Sequence, residues 1–446
     1  MNRKKLSLIE VLGLSVAMLA PTGAMSFNTA GAVTMAGVNA PIAFLLGGLG
    51  VLFVGISFVE LGRHIPGEGS AYAYNRKALG EKGGFISGWL LIFTYITFTM
   101  STSAIVGNFV DVFLQHFGIH LPVQLYIILT LIVGGALSHM GIEFSTRFAL
   151  ALEIVAVGAL VVLTTVILVH GGHAGLSAVP LNPAKSQPTQ IGAGMIFALM
   201  SFAGFEGAAT IAHRGKNPAR AITISIFGSV VFAAIFYFVV SYTEIIGYGT
   251  ANISKMAHSA APLNFLATQY MGGGMAVFMD FAAMTSYFAC YFGALNAGAF
   301  MLEALSKSGY LHPWLGNLKG DKQTPTHALD LITVLCLIAY VIFGLILKVN
   351  APNYYNYFGA VGMIALLLVY VLVSVGAINY FRTDKVKFNW FKHLVAPIIG
   401  IIVLIFPIYS NIWPIPAWPM NLFPYMVLVW LIIGFFIPKK KRTDLE

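Results

Sequence analysis

Two carboxylates lie deep inside apolar stretches of the sequence: Glu153, in the run 145–170, and Glu206, in the run 190–212. A carboxylate within a lipid-crossing segment is costly to hold, and it marks a proton, ion or substrate path by default. Withdrawal from water favours the neutral acid, so such a group can exchange a proton near neutral pH. Glu153 could bind a proton or attract sodium. A proton is the simpler partner, because one carboxylate suffices for it whereas sodium needs a full shell of oxygens. The structural alternative is an acid that hydrogen-bonds backbone freed at a nearby helix break.

Two such breaks are legible. The apolar run 11–36 is interrupted by Pro21-Thr22-Gly23, and the run 191–212 by Gly204-Phe205-Glu206-Gly207. A helix in lipid must satisfy its own backbone hydrogen bonds, so an interruption survives only where it is buried in protein or lines a cavity. Breaks in corresponding positions of two halves point to a transporter's substrate site. Pro21 lacks an N–H and is expected to interrupt the first helix, and Gly23 permits close backbone approach. The half-helix that follows, through Thr22, Gly23, Ala24, Met25 and Ser26, would present free N–H groups and a positive dipole end to a carboxylate. In the other run, Ser201-Phe202-Ala203 would end a half-helix whose orphan carbonyls suit an ammonium group or a cation. A zwitterion between the two would have both ends matched. The bland alternative is a pair of packing kinks, since Gly and Pro are frequent in transmembrane helices.

Other chemistry is absent from the sequence. There is no P-loop, no HExxH and no GxSxG elbow, so nucleotide hydrolysis and the common membrane hydrolases lose their usual signals. His170-Gly171-Gly172-His173 has no neighbouring Cys or acid and reads as a solvated loop rather than a metal site. Cys290 and Cys336 both fall inside apolar runs and imply no disulfide. The expectation is therefore a protein that is not an enzyme and that uses no cofactor and no metal.

The elements that must position these residues follow from composition. Of 446 residues, 58% are hydrophobic and only 9% charged, against about 25% charged in soluble domains. About twelve candidate spans can be drawn, near 10–36, 40–61, 84–113, 122–140, 145–170, 190–212, 218–247, 274–305, 328–347, 354–380, 393–410 and 419–437. On this layout 22 of the 25 Lys and Arg fall on one side, and only Lys185, Lys255 and Lys348 on the other. That bias places both termini in the cytoplasm and explains the net charge of +9 without nucleic acid. The first apolar run continues straight into the first break, so no cleaved leader is expected. No large soluble extension is expected either, which argues against a membrane receptor. The mostly apolar, aromatic candidate pore positions argue against a channel. A small external helix is expected over 261–268.

Several local patterns then make the chain recognisable. Pro66-Gly67-Glu68-Gly69-Ser70-Ala71-Tyr72-Ala73-Tyr74 precedes Gly84-Phe85-Ile86-Ser87-Gly88-Trp89. Phe202-Ala203-Gly204-Phe205-Glu206-Gly207-Ala208-Ala209 precedes Lys216-Asn217-Pro218-Ala219-Arg220-Ala221-Ile222, and Asn296-Ala297-Gly298-Ala299 precedes Gly309 and Thr324-Pro325. In this order they resemble the amino acid–polyamine–organocation (APC) permeases over nearly the whole chain. The resemblance implies an all-α membrane protein with a five-plus-five inverted repeat of the leucine-transporter type. Residues 8–170 would form the first repeat, 190–381 the second, and 392–438 the appended helices 11 and 12. It also implies a substrate surrounded by helices 1, 3, 6, 8 and 10. That adds Tyr95 and Thr99 on the third, Tyr287, Cys290 and Tyr291 on the eighth, and Met200 near a gating position. Glu153 falls where some proton-coupled relatives carry a lysine in place of a sodium ion between helices 1, 5 and 8. The resemblance thus implies an acid that binds a proton there, or attracts sodium together with Ser286 and carbonyls of the first span.

The departures are as informative. Many relatives have Gly-x-Gly where this chain has Pro21-Thr22-Gly23, which removes one backbone donor; relatives that carry polyamines can also have Pro there. His213-Arg214 replaces a frequent acidic pair, Phe300 replaces an arginine, and Ser306-Lys307-Ser308-Gly309 replaces Gly-Arg-Asp-Gly. These changes touch the cytoplasmic gate more than the pocket. The resulting expectation is a secondary transporter of small neutral or apolar amino acids, proton-coupled or exchanging, working as a monomer or homodimer. An amine or polyamine permease is the alternative, with Glu206 holding the cation.

Overall fold

The structure is a computed structural model and describes residues 7–65, 71–140, 146–207, 218–319, 323–383 and 388–439. The motif residues 66–70 and 208–217, including His213 and Arg214, lie outside the described residues.

The first span is two helices, α1 (Leu8–Met18) and α2 (Pro21–Ala36). Ser7 and Glu10 start α1 as a reciprocal capping box, the Glu10 N–H donating to Ser7 Oγ (3.2 Å) and the Ser7 N–H to the Glu10 carboxylate (2.7 Å). The break falls one residue earlier than expected. Ala20 turns left-handed at φ 44°, and Pro21 is the first residue of α2 rather than an interruption. The reason is positional: a helix's first N–H has no partner to lose, and proline's fixed φ is already helical. The strain of the break therefore sits on Ala20, where a left-handed L-residue costs about 1–2 kcal/mol.

The chain reverses at Gly37, whose φ of 57° favours glycine, into α3 (Ala40–His64). The third span is α4 (Ala71–Gln115), interrupted by non-helical Gly80. The residues Ala71 to Tyr74, which precede the span drawn over 84–113, form the first turn of α4. Next come α5 (Val123–His139) and α6 (Thr146–Val169). The sixth span begins as α7 (Pro188–Met200) and dissolves into turns over 201–206, with Gly204 at φ 100°. Then follow α8 (Pro218–Tyr248), a short α9 (Ile253–Ala257) and α10 (Pro262–Met271), the external helix expected over 261–268. The remaining helices are α11 (Gly273–Lys307), α12 (Thr326–Tyr340), α13 (Ala351–Thr383), α14 (Ala396–Ser410) and α15 (Phe423–Phe436). Short π-helical stretches extend α12 over Val341–Ile346 and precede α14 over Phe391–Val395.

Among the described residues eight helical stretches are long and apolar enough to cross a membrane, and three shorter apolar helices join them. The first of the eight, Glu10–His64, is the broken span plus α3. The sum is the twelve traverses the sequence predicts.

Small residues let the central helices approach closely, as packing in lipid requires. A Cβ on Gly31 of α2 would lie 2.7 Å from the Phe197 ring of α7, and one on Gly298 of α11 would lie 3.1 Å from Tyr95 of α4. Helices α4 and α13 are joined by Thr94 Oγ1 to the Gly362 carbonyl (3.3 Å) and Ser101 Oγ to the Tyr355 carbonyl (2.8 Å). The last helix is clasped from outside: Trp89 and Trp430 stack at 4.2 Å and each indole N–H donates to the other's carbonyl (2.7 and 2.8 Å). At one end of the bundle Arg63 (3.2 Å), Lys392 (3.3 Å) and His393 (3.4 Å) converge on Glu60, joining α3 to the start of the eleventh span. The Asn389 N–H donates to His393 Nδ1 (3.0 Å), so the ring offers Nε2–H to Glu60 as a neutral imidazole.

Candidate functional site at the helix breaks

The two breaks abut. A Cβ added to Gly204 would stand 3.3 Å from the Met18 carbonyl oxygen, the last residue of α1. Three polar clusters gather round this junction.

The first fills the start of α2. The Thr22 N–H donates to Glu153 Oε1 (2.9 Å) and the Gly23 N–H to Ser286 Oγ (3.1 Å), while Ser286 also borders the Glu153 carboxylate. Glu153 on α6 and Ser286 on α11 are thus brought to Thr22 and Gly23, through N–H groups of α2 rather than the first-span carbonyls that the sodium reading named. The donors are not free, however. The first two available N–H groups of α2 are taken by the protein's own side chains, and Ala24 closes a helical bond to the Ala20 carbonyl (3.0 Å). A carboxylate at a helix N-terminus gains from both hydrogen bonds and dipole. Glu153 therefore occupies the anion-binding position that the sequence reading reserved for a substrate carboxylate. Met25 and Ser26 are fully buried, and Ser26 Oγ donates to the Thr22 carbonyl (2.7 Å).

The second cluster surrounds Glu206. Its Oε2 accepts from the Tyr370 hydroxyl on α13 (2.7 Å) and from the Gly204 N–H (3.2 Å), and Tyr95 of α4 shares this space. Phe205 is packed between Phe58 and Tyr370, with ring centroids 5.2 Å from each, and Phe202 lies edge-on to Tyr237 at 5.0 Å. Both rings are wholly buried in packing between helices.

The third cluster ties the sixth span to the second half of the first. Asn28 Nδ2 donates to Ser201 Oγ (2.8 Å), the Tyr355 hydroxyl donates to Asn28 Oδ1, and the Tyr287 hydroxyl donates to Tyr355 Oη (3.4 Å). The Tyr237 hydroxyl donates to the Ser201 carbonyl (2.9 Å), one of the orphan carbonyls offered to a cation in the sequence reading. Ala203 adjoins this turn and is only partly buried.

Other candidates stand apart. Tyr291 turns towards α5, its hydroxyl on the Leu131 carbonyl (3.2 Å), and its ring fits against Gly134. Thr99 Oγ1 bonds back to the Tyr95 carbonyl within its own helix (2.7 Å). Met200 packs on Gly359 of α13, and Cys290 lies one turn from Ser286 on α11. Thr22, Ser201, Tyr287 and Ser286 are all at most 5% exposed, whereas Ala203, Gly204 and Glu206 are only partly buried.

Sequence reasoning missed Asn28, Tyr237, Tyr355 and Tyr370, which supply the partners for the residues it chose. Asn28 carries a usable signal, an amide inside a span. The tyrosines carry none, because an aromatic in an apolar helix is ordinary. Burial adds a third acid beside Glu153 and Glu206. Glu244 of α8, placed near a helix end by the sequence, is 1% exposed. The bundle folds α2 and α10 over that end.

Comparison with known proteins fits this geometry. The chain is 24% identical to the branched-chain amino acid permease BcaP of Bacillus subtilis, over 100% of this chain and 95% of that protein. It is 22% identical to the low-affinity putrescine importer PlaP of Escherichia coli (89% of this chain, 86% of that protein). It is likewise 22% identical to the glutamate/serine transporter AimA of Bacillus subtilis (92% and 77%). Among solved structures, a mutant of the Eremococcus coleocola manganese transporter superposes with a TM-score of 0.60 at 13% identity, covering 96% of this chain and 93% of that one. A family model described as amino acid permease matches residues 6–436, and with it the broken-helix bundle identifies the chain as a member of that permease family, within the APC superfamily.

Proposed function

We propose that the protein is a secondary transporter that carries small neutral or apolar amino acids across the cytoplasmic membrane by alternating access about the two breaks. The observation that carries this reading is the junction itself: two interrupted spans meet, ringed by buried aromatic side chains, with Glu153 seated on the start of α2. The substrate would lie between α2, α4, α7, α11 and α13, and residues 8–170 and 190–381 would be the two inverted repeats that rock against each other. Both termini would face the cytoplasm, following the distribution of Lys and Arg.

Glu153 supplies a coupling logic. While it is ionised it holds the Thr22 N–H, and a substrate carboxylate approaching the same helix start is repelled. A proton on Glu153 removes the charge, weakens that bond and releases the dipole end to the substrate. Proton and amino acid would then bind together, in import or in exchange. BcaP, named as a branched-chain amino acid permease, supports an apolar amino acid as substrate, and AimA, named as a glutamate/serine transporter, supports amino acids in general.

A second reading has its own observation. Because Glu153 and Ser286 satisfy the α2 donors, a substrate without a carboxylate loses nothing here, and Glu206 could hold an ammonium group; PlaP imports putrescine. Uptake by the protein in liposomes separates the two. Leucine and alanine uptake that rises with an inward proton gradient supports the first reading. Uptake confined to putrescine, and abolished by Glu206→Gln, replaces it with the second.

A further inference from the structure

Away from the breaks, α8 carries a carboxylate that the mechanism above does not use. Glu244 is 1% exposed, and among the described residues no group hydrogen-bonds either of its oxygens. Across from it on α2, the Thr29 hydroxyl faces the carboxylate without a hydrogen bond of normal geometry, and Thr29 is itself fully buried and otherwise unpartnered among the described residues. Two polar side chains from opposing helices therefore leave three oxygens turned towards each other in a dry interface. A buried charge without a partner costs several kcal/mol, so the carboxyl either carries a proton here or, when ionised, shares the place with another cation.

Among the described residues the surroundings offer no cation from the protein. Tyr248, on α8 itself, donates to the Pro262 carbonyl (3.1 Å), and Tyr287 of α11 donates to Tyr355 (3.4 Å). Tyr270 of α10 donates to the Gly247 carbonyl (3.1 Å), and the backbone N–H of His173, from the loop after α6, to the Ile246 carbonyl (2.9 Å), with the His173 ring lying beside Gly249, beyond the end of α8. Lys255 of α9 is exposed. Glu153 of α6 is engaged at Thr22. The charged groups of α1 and α3 (Glu10, Glu60 and Arg63) belong to the other end of α8, where Arg63 meets Thr223 (2.5 Å).

We propose that Glu244 and Thr29 form a second cation site, separate from the helix breaks, that binds one proton or one sodium-sized ion between α8 and the second half of the first span. The proposal rests on the transporter reading, since α2 is one of the helices that would move. Separating α2 from α8 opens the site to water and lets the ion leave; closing them on a bound cation seals it. Ion binding and closure are thus one event.

The test uses the full chain in liposomes with leucine, alanine and putrescine as probes. Counterflow without an ion gradient comes first, and failure of all three in the unaltered protein would remove the transporter reading itself. With counterflow established, accumulation is driven by a proton gradient in one arm and a sodium gradient in the other. Glu244→Gln imitates the cation-loaded carboxyl, so counterflow should persist while accumulation in the arm whose ion binds here falls below the unaltered level, leaving only what Glu153 couples. Accumulation at the unaltered level in Glu244→Gln overturns the proposal. Thr29→Val keeps the packing volume and guards against a misfolded Glu244 variant. It should raise the concentration of the coupling ion needed for half-maximal accumulation about tenfold, the worth of one hydrogen bond to a charged site. An unchanged requirement overturns the proposal equally, and the arm that responds says which cation is bound.

Discussion

Glu153 caps a helix and, in the proposed mechanism, also carries the coupling charge, and substitutions can separate the two roles. In Glu153→Gln the amide oxygen still accepts from the Thr22 N–H, so the fold should survive while the dependence of uptake on the proton gradient flattens. Glu153→Ala leaves that N–H buried and unpaired and should lower stability by about 1–3 kcal/mol. Thermal unfolding and uptake across a pH series read the two effects separately. Glu206 depends on Tyr370 in the same way. Tyr370→Phe leaves only the longer Gly204 bond (3.2 Å), and the loss of one buried hydrogen bond, about 0.5–1.5 kcal/mol, predicts a several-fold fall in uptake with the protein still folded. The acids were legible in the sequence because a carboxylate in a span is conspicuous. Their partners were not, because hydrogen bonds spanning 131 residues (Thr22 to Glu153) or 164 (Glu206 to Tyr370) leave no local pattern.

Helix interruption is written in residue chemistry more plainly than in position. Proline and glycine mark both breaks, yet Pro21 begins its half-helix and Ala20 takes the left-handed turn. Ala20→Gly should therefore remove strain of about 1 kcal/mol and raise the midpoint of thermal unfolding, provided the added freedom of the unfolded chain is smaller. Gly204 argues the converse. Its φ of 100° lies where an L-residue is strained, and a Cβ would meet the Met18 carbonyl at 3.3 Å. Gly204→Ala should cost about 1–3 kcal/mol and part the two breaks. If uptake by Gly204→Ala matched the unaltered protein, the close approach of α1 to the sixth span would not be needed for transport. Element ends drifted for a simple reason as well: the third span was read as starting at 84, but helical pairing continues back to Ala71 around the Gly80 kink.

At the scale of the whole molecule the composition settles the class, since a chain this apolar has to lie in lipid, and the twelve traverses follow from lengths near the hydrocarbon thickness. What composition cannot show is how the bundle packs around its centre, which depends on glycines meeting rings across helices that are distant in sequence. That packed centre makes ligand binding a stability event. A substrate that binds only the folded protein stabilises it by mass action, about 2.7 kcal/mol at a hundredfold excess over its Kd. The free-energy gain should appear as a rise of several degrees in thermal unfolding. If the proton must first release the α2 helix start from Glu153, affinity for an amino acid increases as pH falls, and leucine or alanine should shift unfolding more at about pH 5.5 than at about pH 7.5. Glu153→Gln should show the larger shift at both, because its charge is already gone. Equal shifts at the two pH values in the unaltered protein would mean that substrate and proton bind independently. The Glu153 carboxylate would then be a helix cap and nothing more.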